Sequence, residues 1–256
     1  MRDQFVGDVG DFGKYGLLRR LIGLTDCKVP EPDLTLGVVW YYRPDEPKDP
    51  SGRLTQYSES DYHDRDKYES CDPELWQILG ELVRNDKRYV RYVEKSLILP
   101  AGTKYFRDTL DYAGIKPGDP RKRFRADWLQ RALRATEGAD IVFLDPDNNI
   151  PPHENQRYRK GGPKYAYVDE INAFWDRGQS VVVYHHTNMA KSVCEQIRET
   201  ADRLQEELGA KPISLRWRSF ETRAFFVVPQ PEHRQRIEER IKRMMAGPWG
   251  EHFKQI

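Results

Sequence analysis

The sequence has little of what marks a stapled, metal-clasped or membrane-bound protein. Its 256 residues hold only three cysteines, Cys27, Cys71 and Cys194, far apart in the chain. No Cys-x-x-Cys pair or Cys/His ligand spacing accompanies them, which argues against a disulfide framework or a structural zinc site. No apolar run approaches the roughly 18 residues of a membrane span, so no membrane partner is expected. The opening MRDQFVGDVGDFG lacks the apolar core of a signal peptide, and a cytoplasmic location is expected. Net charge is scarce as well: 42 basic residues stand against 41 acidic ones, leaving +1. That balance removes any global pull toward nucleic acid and makes local clusters the informative feature. Internal repeats and low-complexity linkers are missing, so residues 1–256 are expected to form one domain.

What is present is a run of alternating strands and helices. Leu17, Leu18, Leu21 and Ile22 make a helical stripe over residues 11–24, with Asp8 or Asp11 as cap. LTLGVVWYY, residues 34–42, is β-branched and aromatic and reads as a buried strand. Residues 43–72 turn polar and read as an insertion or lid. A helix is expected over 73–84 and a strand in RYVRYVEKS, residues 88–96. A basic loop at 116–123 precedes a helix in DWLQRALRAT. The apolar runs of ADIVFLDPDNN and QSVVVYHH read as strands, separated by a loop and a short helix over 169–175. A helix over 193–208 follows, stopped by Gly209. ISLRWRSFETRAFFVVP alternates like a hairpin, and an amphipathic helix carries Ile237, Ile241 and Met244. Strands without polar interruption imply a sheet buried on both faces, hence mostly parallel. The expected fold is therefore α/β, with a mostly parallel sheet and a C-terminal antiparallel hairpin, an arrangement that resembles, by analogy of fold, the Rossmann-like three-layer sandwich of the methyltransferase type. Such sheets bind ligands at the carboxyl ends of their strands.

Five constellations could carry chemistry. The foremost is Asp145-Pro146-Asp147-Asn148, where a buried strand delivers an acid to the sheet edge and proline ends the ladder. These groups suit holding an amine, or a divalent cation through oxygens. His185 and His186 end a second strand and should face opposite ways, so that at most one of them, taken here as His185 in a catalytic role, faces the site as base, ligand or phosphate contact. Gly7, Gly10, Gly13 and Gly16 recur every third residue around the first helix, with Lys14 on its first turn. They suit either close packing or an anion at a helix start. Arg157, Arg159, Lys160 and Lys164 lie in RYRKGGPK, just past the acidic motif, where they suit phosphate contact. Glu94 is a candidate for ribose hydroxyls.

The order of these motifs resembles the ribosomal RNA large-subunit adenine-N6 methyltransferases, the RlmJ-like proteins. FVGDVGDFGKYGLLRRLI is similar to that family's opening segment, with Asp11 and Lys14 in matching places and Tyr15 where the family has His. RADWLQRALRATEGADIVFLDPDNN is similar in order and spacing to its acidic turn, helix and Asp-Pro-Pro-Tyr. The resemblance implies S-adenosylmethionine as cofactor, with Lys14 touching it, Asp127 near its adenine, and Asp145 holding a base amine. Asp147 and Asn148 stand where the family has Pro-Tyr, and VVWYYRPDEP stands where the first strand's glycine-rich turn belongs. Two functions follow as expectations. One is methyl transfer to a nucleic-acid base amine, with Asp145 and Asn148 holding the amine. The other is a nuclease or phosphoesterase using magnesium or manganese, with Asp145, Asp147, His185 or His186, and Asp8 or Asp11 around the metal. A third class, a binding module without catalysis, keeps the basic loop but has no use for the acids.

Overall fold

The computed structural model describes residues 1–24, 32–46 and 49–256, so Cys27 lies outside the described residues. Seven strands form one sheet: β1 (Leu36–Trp40), β2 (Lys104–Phe106), β3 (Ile141–Asp145), β4 (Ser180–His186), β5 (Ile213–Trp217), β6 (Arg223–Val228) and β7 (Phe253–Gln255). Their order across the sheet is β2-β1-β3-β4-β6-β5-β7. β2, β1, β3 and β4 run parallel. β6 runs antiparallel between β4 and β5, and β7 pairs antiparallel with the outer side of β5. A reversed strand thus sits between two strands of the common direction. This is a Rossmann-like three-layer α/β fold with antiparallel C-terminal strands.

The uninterrupted apolar strands are explained by two cores. Ile141 and Phe143 of β3, with Val182 and Tyr184 of β4, face one cluster. Val142, Leu144, Val181 and Val183 face the other. Helices α1 (Val9–Ile22), α3 (Pro73–Arg84) and α8 (Pro231–Ala246) cover the first face, with the shorter α2 (Arg65–Glu69) and α4 (Val90–Lys95) beside them. Helices α5 (Asp119–Ala135), α6 (Val168–Trp175) and α7 (Val193–Leu208) cover the second.

α1 is buried nearly all round. Asp8 caps its start by accepting from the Asp11 amide, and Gly23 ends it at φ +86°. The glycine repeat is a packing device. A Cβ on Gly13 would lie 2.8 Å from the Trp217 ring, and one on Gly16 would come within 2.1 Å of Trp249. Two indoles lie against the helix where side chains are missing.

Two readings need correction. Residues 88–96 are not a strand: Val90 and Val93 are both buried, three residues apart on the short helix α4. The basic stretch 116–123 is a loop only as far as Gly118, and α5 begins at Asp119 with Pro120 in its first turn. Within the 43–72 stretch, expected as an insertion or lid, residues 57–68 are tied into the first core. Tyr57 and Tyr68 are buried there, with rings 5.3 and 5.8 Å from Phe12. Among the described residues no helix is long and apolar enough to cross a membrane.

Candidate functional site at the sheet's carboxyl edge

β1 pairs with β2 on one side and β3 on the other, and Trp40 lies in register with Asp145. The chain direction across the sheet reverses at this point, which opens a crevice at the carboxyl ends of β1 and β3. Asp145 therefore sits at the switch point itself. Its carboxylate is buried and faces the α1 side, as alternation along β3 requires.

Lys14 bridges two buried acids: its Nζ lies 3.0 Å from Asp145 Oδ2 and 2.8 Å from Asp11 Oδ1. Burial alone would push the Lys14 ammonium down, but the charges of Asp11 and Asp145 outweigh it and raise it. The Asp145 carboxyl is still raised, because burial exceeds the opposing pull of Lys14 and the Met1 ammonium. Asp147 turns toward a different set of cations. The Met1 ammonium lies 3.1 Å from its Oδ1, while Arg2 Nε and Arg43 Nη1 each lie 3.2 Å from Oδ2. Burial pushes Asp147 up, yet the ammonium, Arg2 and Arg43 together hold it below the usual carboxylate range.

The cavity beside Asp145 is also lined by Asp8, Tyr184, His186 and Arg223. Its volume is about 20 Å³, room for a single water. Asp8 is pushed up to about 7, first by burial and then by the neighbouring charge of Asp11. His186 is held neutral by burial, with Arg223 adding to the effect. Met1 and Phe5 close the front, and the Met1 ammonium donates to the Tyr41 and Asp145 carbonyls.

The expected site residues divide on this map. Asp145, Lys14 and His186 share the cavity wall, and Asp147 borders it. The two histidines do face opposite ways, but it is His186 that joins Asp145. His185, expected to be catalytic, lies on the other face of the sheet, with Phe226 against its ring at 5.3 Å. Asn148 contributes backbone: its amide donates to the Lys164 carbonyl and its carbonyl accepts from the His186 amide. Glu94 is on α4, where it accepts from Trp40 Nε1 at 3.0 Å and pairs with Arg107. Asp127 is exposed on α5, on the opposite face. Lys14, Glu94 and Asp127 therefore do not meet around one ligand. The metal set does not assemble either. His185 is turned away, both carboxylates are already paired with cations, and among the described residues no cluster of three or more His, Cys, Asp or Glu suits a metal.

A larger cleft, of about 900 Å³, opens on the other side of Arg43. Loops after β1, β2 and β3 line it with Arg43, Lys116, Lys160 and Lys164, and the first turn of α5 adds Arg121, against Glu46 and Asp111. Lys164 is paired with Glu46 at 3.0 Å, and Arg121 is held by the Ile115 and Tyr158 carbonyls. Lys116, Lys160 and the nearby Arg159 have no side-chain partner among the described residues. Arg157 serves the scaffold. It pairs with Asp169 and Glu154, and its guanidinium lies 4.4 Å above the Tyr167 ring. Beneath this loop Arg125, buried and paired with Glu170, donates to the Gly162 and Tyr165 carbonyls and fixes the path of the chain.

Arg2, Arg43, Tyr184 and Arg223 were not foreseen as site residues. Only Arg43 carried a signal, since it follows the end of β1 as Asp147 follows the end of β3. Among known proteins, no family model and no curated sequence matches this chain. One solved structure is similar in shape: protein LPL1258 from Legionella pneumophila str. Philadelphia 1, described under the family model DUF519. It has 12% identity over 98% of this chain and 96% of that one, with a TM-score of 0.49.

Proposed function

We propose that this protein acts on nucleic acid, holding the phosphate backbone in the basic cleft and turning a base toward the Asp145 edge. The observation that carries the proposal is where the cleft lies. Five cationic side chains from three loops and α5 converge beside the switch point, against two carboxylates. Among the described residues Lys116 and Lys160 have no side-chain partner, which leaves them to neutralise phosphates. The free Arg159 stands in the same loop as Lys160 and adds to the positive face.

Methyl transfer is the chemistry that the strand order and the position of Asp145 favour, by analogy of fold and motif. S-adenosylmethionine would bring a positively charged sulfonium to the Asp145 cavity. As arranged, the residues do not fit it. The space holds one water, and Lys14, Arg2, Arg43 and the Met1 ammonium already surround the two carboxylates.

Two titrations test the reading. A single-stranded oligonucleotide is expected to bind the wild-type chain and to bind much more weakly after Lys116→Ala with Lys160→Ala. Calorimetry with S-adenosylmethionine, with and without that oligonucleotide, tests the methyltransferase part. Saturable heat in either condition supports it, and none in both sinks it.

A further inference from the structure

His185 is left over by the site at Asp145, and it is not idle packing. It borders a second cavity, of about 400 Å³, on the opposite face of the sheet, between the loops that follow β3 and β4 and the first turns of α7. The ring is buried, and its Nδ1 accepts from the Ile150 amide at 3.3 Å. With Nδ1 as acceptor, the neutral ring carries its proton on Nε2 and has a donor to offer. Burial, with a contribution from Arg203, pushes His185 down to about 3, which keeps it neutral.

Arg203 of α7 lines the same cavity. Its Nη1 donates to the Pro151 carbonyl at 2.6 Å, while its Nε is buried without a partner among the described residues. No carboxylate among the described residues pairs with it. Burial lowers its pKa, and the more distant Glu207 and Glu154 do not make up the loss. A half-buried guanidinium without a counter-charge is costly unless something supplies one. The other charges on the wall are already matched, since Lys191 pairs with Glu199. Gln196 holds the far wall in place, donating to the Asn188 and Lys191 carbonyls and accepting from the Asn188 amide. Asn149 Oδ1 is a second atom on this wall that is buried without a partner among the described residues.

We propose that this cavity is a separate binding site for a small ligand bearing one oxyanion group, a carboxylate or a phosphate, held by the Arg203 guanidinium and the His185 Nε2–H. The anion supplies the counter-charge that Arg203 lacks, and Asn149 Oδ1 accepts from a hydroxyl or amine elsewhere on the ligand. Polar groups of this kind, few and convergent in a concave site, are what fix a small ligand. The site does not rest on the nucleic-acid reading.

The test follows the His185 imidazole by nuclear magnetic resonance in the full chain, with the signal assigned by its loss in His185→Asn. Sodium phosphate and sodium acetate are titrated separately, with sodium chloride as the ionic-strength control. A saturable shift with phosphate alone identifies a phosphate site, one with acetate alone a carboxylate site, and one with both a general oxyanion site. Arg203→Met is expected to weaken binding by about tenfold or more, the loss of one charge-assisted hydrogen-bonding group, and Arg203→Lys to retain part of it. The proposal is overturned if neither anion shifts His185 beyond the chloride control. It is equally overturned if Arg203→Met binds as tightly as the wild type. Should Arg203→Met fail to fold, equal binding by wild type and Arg203→Gln takes its place as the contradicting result.

Discussion

Lys14 is the residue on which the carboxyl edge depends. It is 3% exposed and compensates two buried carboxylates at once. Lys14→Met leaves Asp11 and Asp145 facing each other without that cation. Breaking a buried pair in this way costs about 3–5 kcal/mol, to be read in urea unfolding near neutral pH. The loss should shrink as the pH falls and Asp145, its carboxyl raised by burial, takes up a proton. Asp8 gives a second pH signature, and its sign is fixed. Its carboxyl rises from 3.8 to about 7 on folding, so between those values the folded chain binds a proton that the unfolded chain has released. Asp8 therefore makes stability fall as pH climbs through that window. Asp8→Asn keeps a good helix cap and removes the titration. Thermal melts of this variant between pH 4 and 7 should show a flatter dependence than the wild type and a higher melting temperature at pH 7. An unchanged profile would contradict the assignment.

At the scale of elements, the sequence was most readable where burial imposes a single period. The runs that became β3 and β4 are apolar throughout because each has a core on both faces, and α7 runs over the residues its apolar spacing marks, 193–208. β2 and β7, at three residues each, are too short to carry a pattern. α4 was obscured because Tyr89, Val90, Tyr92 and Val93 are residue types that strands favour, and the helix is only six residues long. The site divides in the same way. The position of Asp145 follows from its strand, but its partners do not, since Lys14 and Asp145 are 131 residues apart and Arg43 and Asp147 are 104. Which histidine faces the acid depends on the register of β4 against β3, and sequence alone does not give it. The glycine repeat was open between an anion site and packing, and the tryptophans at Gly13 and Gly16 support packing. Gly16→Ala places a methyl group inside the Trp249 ring envelope. It should cost about 1–3 kcal/mol in thermal or urea unfolding, as overpacked cores do. A neutral result would mean that Trp249 moves aside freely.

Across the whole molecule, a net charge of +1 conceals a divided carboxyl edge. On one side of Arg43, cations and acids neutralise each other around Asp145 and Asp147. On the other side the cleft keeps free cations, as a surface that grips a polyanion must. In the proposed reading the Asp145-Pro146-Asp147-Asn148 motif marks the working edge, and the loops around it grip the substrate. The most direct test is the salt dependence of binding to a single-stranded oligonucleotide, measured by fluorescence anisotropy. For single strands the slope of log K against log salt is about −0.7 for each phosphate neutralised. Removing both Lys116 and Lys160 should therefore make the slope shallower by about 1.4 and weaken binding at low salt. The same slope and affinity in the wild type and the Lys116→Ala, Lys160→Ala double variant would contradict the account.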